Sequence, residues 1–315
     1  MTHDPSLDSG RRRFLGLAAG AGALAAAGLP ATTSAQVATN AHIVILGAGA
    51  AGTALANRLV ERLDGARITI VDGSKQHWYQ PGFSLIAAGL KPPQYSVSRT
   101  AEWLPAGVTL KPENAAAIDP QARTVDLQSG ETLNYDYLVV ATGLTLDHDA
   151  IEGFSLDMVG ENGIGALYAG PDYAARTWKA ASKFIEEGGA GLFTRPATEM
   201  KCAGAPLKHT FLVDDLARKA GTRGKAEITY AAPQTSLFGV PIVAEKVRML
   251  FGDRGIATGM QETLRAIDPG ARRATFDTPG GPVERGYDYL HVIPPQRAPE
   301  VVRQSGLSWA DKWTD

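Results

Sequence analysis

The residue with the clearest chemical potential is Cys202, the only cysteine of the chain, which is followed by the small-residue segment 203–206. Lys201 places a positive charge beside the sulfur and favours the thiolate, the reactive form of cysteine. A metal site is not expected, because there is no second cysteine and the six histidines are scattered. We therefore predict thiol redox chemistry at Cys202, with a small apolar core residue as the alternative.

A second candidate site is the glycine turn, residues 47–52, which reads Gly-Ala-Gly-Ala-Ala-Gly. It follows a predicted buried strand at 42–46 and precedes a predicted helix at 53–63, and the next predicted strand ends at Asp72. Glycines let a pyrophosphate approach a helix N-terminus, and an acid at this position can accept hydrogen bonds from ribose hydroxyls. The pattern predicts a dinucleotide site formed by Gly47, Gly49, Ala50, Ala51, Gly52 and Asp72.

The elements that must position Cys202 lie in the second half of the chain. Apolar runs predict strands at 191–194 and 226–231, and helical periodicity predicts helices at 174–187, 206–219 and 242–251. The segment Tyr-Asp-Tyr-Leu occurs at 135–138 and again at 287–290, each time before an apolar run. We therefore expect an α/β protein made of two related Rossmann-like halves.

The second half lacks the features of a nicotinamide site. Its glycines, Gly188, Gly189 and Gly191, are expected to precede the strand instead of following it, and no acid follows the strand that ends near Ala231. We therefore do not expect this half to bind NAD, and the turn that would hold its phosphates leads into Lys201 and Cys202.

The N-terminal residues 1–35 indicate a twin-arginine export signal. Three arginines at 11–13 precede a Gly/Ala/Leu run and a small-residue stretch that ends at Ala35. This predicts a periplasmic protein cleaved near Ala35, with an uncleaved anchor as the alternative. The 31 basic and 33 acidic residues give a net charge of −2, so a nucleic-acid partner is not expected.

Several segments resemble a known family. The strand that leads into Ala141, Thr142 and Gly143 resembles flavoproteins with two dinucleotide-binding domains, in which this strand end passes close to FAD. Residues 77–82, 201–206 and 291–295 are similar to sulfide:quinone oxidoreductases of the type that includes the mitochondrial enzyme, and more distantly to the flavoprotein subunit of flavocytochrome c sulfide dehydrogenase.

The resemblance implies a fold and a set of site residues. The fold is two Rossmann-like domains of the three-layer ββα type: an FAD-binding domain at 40–150, a second domain with Cys202 at 151–295, and at 296–315 the start of a return to the first domain. FAD is expected to bind without a covalent bond, because no cysteine lies near Gln80. Additional cofactor contacts are expected from Gln80, Pro81, Ala141, Thr142 and Gly143.

The implied reaction is sulfide oxidation through a persulfide on Cys202, assisted by Lys201, with electrons passing to FAD and then to quinone. Peripheral membrane association is a further expectation. For His209, on a predicted helix, we expect a satisfied structural side chain, with proton transfer as the alternative. Alternatives are a cytochrome c acceptor, a non-catalytic persulfide carrier that uses Cys202 alone, and, disfavoured, an NADH dehydrogenase. The family has a second redox cysteine nearer its C-terminus, so we expect that the C-terminal part is missing from this sequence.

Overall fold

The computed structural model describes residues 36–308. The predicted export signal therefore lies outside the described residues. The first half is built on a four-stranded parallel sheet of β1 (His42–Leu46), β2 (Arg67–Val71), β3 (Val108–Lys111) and β7 (Tyr137–Val140), in the order β7, β1, β2, β3. All five residues of β1 are buried, as expected for a central strand covered on both faces.

Two different layers cover this sheet. Helix α1 (Ala50–Arg62) packs on one face, where Ile43 and Ile45 meet Ala56. A three-stranded antiparallel sheet of β4 (Ala115–Asp119), β5 (Thr124–Leu127) and β6 (Thr132–Asn134) packs on the other face, against Val44 and Leu46. Because neighbouring residues of a strand point to opposite faces, one short apolar run fills both cores. The predicted ββα layering is confirmed.

The second half repeats this plan. Its parallel sheet contains β8 (Ile164–Gly165), β9 (Gly189–Thr194), β10 (Ala226–Ala232), β11 (Ile256–Met260) and β15 (Tyr289–His291), in the order β8, β15, β9, β10, β11. The helices are α3 (Pro171–Glu187), α4 (Ala205–Lys219) and α5 (Pro241–Arg254). A second antiparallel sheet contains β12 (Thr263–Asp268), β13 (Arg273–Asp277) and β14 (Val283–Gly286).

Two aspartates show that the halves are duplicates. Asp136 accepts a hydrogen bond from the His42 backbone N–H through its carboxylate and donates its own N–H to the His42 carbonyl. Asp288 makes the same pair of hydrogen bonds with Ala190. The repeated Tyr-Asp-Tyr-Leu segment therefore occupies one structural position in both halves, where its aspartate bonds to β1 in the first half and to β9 in the second.

Several predicted boundaries differ from the structure: α3 begins at Pro171 and α5 ends at Arg254, each three residues beyond the prediction, and two further differences involve glycines. Helix α1 begins at Ala50, three residues earlier than expected, so the last part of the glycine turn is the first helical turn. Gly189 and Gly191 lie within β9, where Gly189 pairs with Ala226. A Cβ on Gly191 would lie 2.5 Å from the Phe184 ring, so this glycine serves the close packing of helix on sheet.

Shorter elements complete the chain. Helices α2 (Phe83–Ile86) and α6 (Glu300–Arg303) are single turns, and further two-strand pairs join Val37–Ala38 to Leu63–Asp64 and Gln76–Trp78 to Val97–Arg99. Thr145–Leu146, which leaves the first half, pairs antiparallel with Gln296–Arg297, which leaves the second half. Within residues 36–308, no helix has the length and apolar character needed to cross a bilayer.

Candidate functional site

The glycine turn is closed on one side and open on the other. Gly47 has φ +100°, and a Cβ there would lie 2.3 Å from the Ala141 carbonyl oxygen; a Cβ on Gly52 would lie 1.9 Å from the Gly47 carbonyl oxygen. A Cβ on Gly49 would meet no atom within 4 Å. Gly49 precedes the N-terminus of α1, which has no side-chain cap, and the first N–H groups of a helix have no intrahelical partner. The open side therefore fits a phosphate group.

Asp72 lies directly after β2 and is half-buried against the same turn. One carboxylate oxygen accepts the Ala48 N–H at 2.6 Å, and the other accepts the Ser74 N–H at 2.7 Å. These hydrogen bonds fix the carboxylate beside the turn. Because each carboxylate oxygen can accept more than one hydrogen bond, Asp72 keeps capacity for a ribose hydroxyl.

The exit segment, residues 141–143, completes this part of the site. The Ala141 N–H donates to the Leu46 carbonyl at 2.8 Å, and Gly143 has φ +71°. The backbone of the exit segment therefore lies against Gly47, as the close approach of its Cβ position to Ala141 also shows. The structure thus brings together the glycine turn, Asp72 and the exit segment at the carboxyl ends of adjacent parallel strands, where open α/β sheets bind ligands.

The Gln80 turn (Gln80–Gly82) is a short 3₁₀ helix in which Gln80 and Pro81 are exposed. Its position is coupled to the second half, because the Lys208 ammonium on α4 donates to the Pro81 carbonyl at 3.4 Å. Lys208 lies six residues after Cys202, in the first turn of α4. The Gln80 turn and the cysteine-bearing region therefore face each other across the two halves.

Cys202 is exposed and lies in the thiol loop, residues 195–204, between β9 and α4. The Lys201 backbone N–H donates to the side-chain oxygen of Gln296 at 3.2 Å, and the Gln296 N–H donates to the Thr198 hydroxyl at 2.8 Å. Gln296 therefore holds the loop at two points, and it is fully buried. Protein atoms crowd the Lys201 ammonium, and this desolvation lowers its pKa.

A buried group of rings lies beneath the thiol loop. The His209 and His291 ring centroids are 4.5 Å apart, and His209 shares a 2.7 Å hydrogen bond with the Tyr289 hydroxyl. Burial lowers the pKa of His209 to about 3. The pKa of His291 lies well below its usual range, mainly because the ring is buried and in addition because His209 lies beside it. Both rings are neutral near pH 7, so the alternative of proton transfer does not suit His209, which serves packing as expected.

The predicted residues thus form two groups. The glycine turn, Asp72 and the exit segment are in direct contact, and Cys202 lies on the thiol loop of the other half. Among residues 36–308, no hydrogen bond joins the Cys202 thiol to the glycine turn or to the exit segment. Gln296 was missed, although its position directly after Pro294 and Pro295 in the family-like segment 291–295 was an available signal.

Comparisons with known proteins agree with this architecture. Residues 41–170 match the family model described as pyridine nucleotide-disulphide oxidoreductase. The crystal structure of the sulfide:quinone oxidoreductase from Aquifex aeolicus superposes with a TM-score of 0.72 at 24% identity, over 86% of this chain and 62% of that one. This likeness confirms the predicted α/β fold of the Rossmann type.

Two curated relatives are closer in sequence. The mitochondrial sulfide:quinone oxidoreductase of Mus musculus is 34% identical over 281 residues, which are 87% of this chain and 61% of that protein. The mitochondrial enzyme of Dictyostelium discoideum is 32% identical over 84% of this chain and 58% of that protein. The chain is therefore similar in sequence to sulfide:quinone oxidoreductases, the family that the sequence analysis names, and it spans about three fifths of the length of these two relatives.

Proposed function

We propose that this chain, as a homologue of the sulfide:quinone oxidoreductases, binds FAD non-covalently in its first half, oxidises sulfide at Cys202 in its second half, and delivers the electrons to quinone. Gly47, Gly49, Ala50, Ala51, Gly52 and Asp72 would hold the pyrophosphate and ribose, and Gln80, Pro81, Ala141, Thr142 and Gly143 would lie along the remainder of the cofactor. The open space at Gly49 supports this assignment, because the Cβ of any other residue would occupy it.

One observation carries the link between thiol and cofactor. Gln296, which holds the thiol loop through Lys201, belongs to the short strand that pairs with Thr145–Leu146. Thr145 follows the exit segment after a single residue, Leu144. The loop that carries Cys202 and the backbone expected beside FAD are therefore parts of one hydrogen-bonded structure, which supports a position of the thiol near the flavin.

The chemistry at Cys202 balances as a two-electron oxidation. A thiolate and a hydrosulfide ion combine to form a persulfide, with a new S–S bond and release of one proton and two electrons. Bound FAD supplies a two-electron acceptor for this oxidation. Lys201 lies beside the thiolate in sequence, and we assign it the role of the cation that favours ionised sulfur species.

Compartment and acceptor are parts of the same proposal. We place the mature protein in the periplasm after twin-arginine export, in peripheral contact with the membrane that holds quinone. A cytochrome c acceptor is the alternative. A non-catalytic persulfide carrier is a second candidate function, which the presence of one exposed cysteine favours.

Anaerobic titration of the FAD-loaded protein with sulfide tests the proposal. We expect sulfide to bleach the flavin absorbance of the wild type and to leave that of Cys202→Ser unchanged, and the reduced wild type to be reoxidised by a short-chain ubiquinone analogue. Bleaching retained by Cys202→Ser would refute the thiol mechanism. A persulfide on Cys202 without flavin reduction would support the carrier. Reoxidation by cytochrome c alone would support the cytochrome alternative. Rapid bleaching of the flavin by NADH would contradict the prediction that the second half does not bind NAD.

A further inference from the structure

An exposed apolar surface lies at the start of α5. Residues 238–243, here called the apolar tip, read Phe-Gly-Val-Pro-Ile-Val. Ile242 is 80% exposed, and Val240 and Val243 are also exposed. Residues 228–244 contain no charged side chain. A single exposed aliphatic residue is common, but three within four positions of an uncharged segment indicate a binding surface.

The apolar tip packs against the thiol loop. A Cβ on Gly204, two residues after Cys202, would lie 3.7 Å from the Phe238 ring. From there the apolar surface continues into a groove of about 530 Å³ between α4 and α5, whose apolar walls include Leu207, Phe211, Val243 and Val247. The apolar surface therefore borders the loop that carries Cys202.

The first residue of the apolar tip that caps α5 departs from the usual pattern of a helix in water. The N-cap of α5 is Val240, which forms no side-chain capping hydrogen bond, and valine is among the least favourable residues at this position. The N-terminus of a helix also carries a partial positive charge. A departure from a local rule at an exposed position indicates a function there. An environment with an apolar interior and an anionic surface would suit this end of α5.

The charges around the apolar tip leave an excess of positive charge. Within residues 36–308, Lys208 and Lys246 are exposed and form no ion pair. The other charged residues of the groove and of the first turns of α5 are paired within the protein, as Asp215–Lys219 at 2.8 Å, Asp214–Arg254 at 2.7 Å and Glu245–Arg248 at 2.7 Å. Asp253 lies about 16 Å along α5 from Ile242. The apolar tip therefore complements a negatively charged partner.

The size of the apolar tip favours a lipid partner over a protein. A stable protein interface contains about 20–30 residues on each side, whereas the apolar tip exposes three aliphatic side chains. A bilayer needs no complementary shape, because aliphatic side chains enter its apolar layer while lysines remain at the headgroups. We propose that residues 238–243 insert into the surface of a bilayer that contains anionic lipids, with Lys208 and Lys246 at the headgroups. This inference rests on the peripheral membrane contact of the proposed function and names the surface that makes it.

A dye at position 242 tests the inference on the full chain. Cys202 is the only cysteine, so a chain with Cys202→Ser and Ile242→Cys takes a nitrobenzoxadiazole label at one position. Vesicles of phosphatidylcholine and phosphatidylglycerol should increase the dye emission and shift it to shorter wavelength, because the dye leaves water. The label reports its own surroundings, so the result holds whether or not residues 1–35 also bind the vesicles. Because Ile242 is 80% exposed, its replacement does not disturb the core.

Val283→Cys in the same Cys202→Ser background is the matched control. Val283 is also an exposed aliphatic residue, but it lies on β14 of the second antiparallel sheet, on the face of the second half opposite α4 and α5. We expect its dye emission to stay unchanged when vesicles are added. Unchanged emission at position 242, or an equal response at both positions, would overturn the inference.

Two further measurements test the partner itself. Adding Lys246→Gln to the chain labelled at 242 should raise the vesicle concentration for half-maximal response about fivefold, the effect of one lysine near an anionic surface. An unchanged concentration would overturn the role of anionic lipid. Sedimentation equilibrium without vesicles tests a second copy of the chain as the occupant: a dimer that Ile242→Ser dissociates would overturn the lipid assignment, and a monomer supports it.

The outcome can be separated from that of the proposed function, because the labelled chain needs neither flavin nor sulfide. If position 242 responds while sulfide fails to bleach the flavin of the wild type, the membrane surface stands and the oxidase function falls. If sulfide bleaches the flavin and a short-chain quinone reoxidises it, but position 242 does not respond, only this inference falls.

Discussion

Replacing Gly49 with alanine separates the cofactor role of the glycine turn from its role in folding. Gly49 has φ −72° and ψ −167°, an extended conformation that alanine also adopts, and its Cβ would meet no atom within 4 Å. Alanine leaves the unfolded chain fewer backbone conformations than glycine does, which stabilises the folded variant by about 0.4–1 kcal/mol. Alanine is also a poorer residue at the N-cap of α1, which destabilises the variant by a similar amount. We therefore expect the free energy of unfolding without FAD to change by less than about 1 kcal/mol.

The same methyl group should weaken FAD binding strongly. It would occupy the open side of the turn, where the pyrophosphate has to approach the N-terminus of α1. Losing one hydrogen bond between a backbone N–H and a charged phosphate costs about 1.5–3 kcal/mol, which corresponds to an increase in Kd of about 10- to 150-fold. Urea unfolding of the FAD-free protein and fluorescence titration with FAD measure the two effects separately.

Gly52→Ala is the comparison variant. Its Cβ would lie 1.9 Å from the Gly47 carbonyl oxygen, whereas Cβ contacts below 3.0 Å are essentially never observed. The glycine turn would therefore have to open by about 1 Å to accept the methyl group. Such overpacking costs about 1–3 kcal/mol or more, and this variant should lose both stability and FAD affinity. If Gly49→Ala binds FAD with wild-type affinity, the phosphate does not lie at this turn. If Gly49→Ala loses more than about 2 kcal/mol of unfolding free energy, the space beside Gly49 is not open.

Three further predictions concern the second half. Burial alone would raise the pKa of Asp214, but hydrogen bonds from three arginines lower it. The stabilising effect of Asp214 is therefore present above about pH 3.9 and is lost as the pH falls through the lowered pKa. Asp214→Asn should cost about 3–5 kcal/mol of unfolding free energy, against about 0–1 kcal/mol for Asp215→Asn, whose half-buried carboxylate pairs only with the exposed Lys219. His209 binds a proton near pH 3 in the folded protein but near pH 6.5 in the unfolded chain. The unfolding free energy should therefore fall by about 1.4 kcal/mol for each pH unit below 6.5. Urea unfolding between pH 5.5 and 4 should show that His209→Gln lacks this contribution to the pH dependence. Gln296→Leu should leave the Lys201 N–H unpaired and lower the unfolding free energy by about 1–3 kcal/mol. It should also slow the bleaching of flavin by sulfide. An unchanged bleaching rate would show that the thiol loop does not need the hydrogen bonds of Gln296.

The parallel strands were predictable because their physical cause is local. The run at 42–46 is apolar without alternation, which indicates a strand covered on both faces, and the structure has a strand at those residues. The repeated Tyr-Asp-Tyr-Leu segment likewise predicted the duplication. The glycines at 189 and 191 were misread because their cause is not local: they are required by Asp288 and Phe184, whose positions only the folded chain defines.

The same distinction applies to the candidate site. The glycine turn and Asp72 lie within one strand-helix-strand unit, whose geometry follows from local spacing. Gln296 holds the thiol loop from a distant position, and its hydrogen bond with Lys201 spans 95 residues. The family-like segment 291–295 indicates the region, but no local pattern identifies Lys201 as the partner of Gln296, so this contact could be found only from the fold.

The paired aspartates also have a consequence for the order in which the chain folds. The hydrogen bond of Asp136 reaches back 94 residues to His42, and that of Asp288 reaches back 98 residues to Ala190. Neither bond crosses from one half to the other, so each half closes its central sheet with its own last strand. During synthesis the parallel sheet of the first half can therefore close before the second half has left the ribosome. The core beneath that sheet also contains Ala298 and Val302, so its last apolar contacts form only when the end of the described chain has been made.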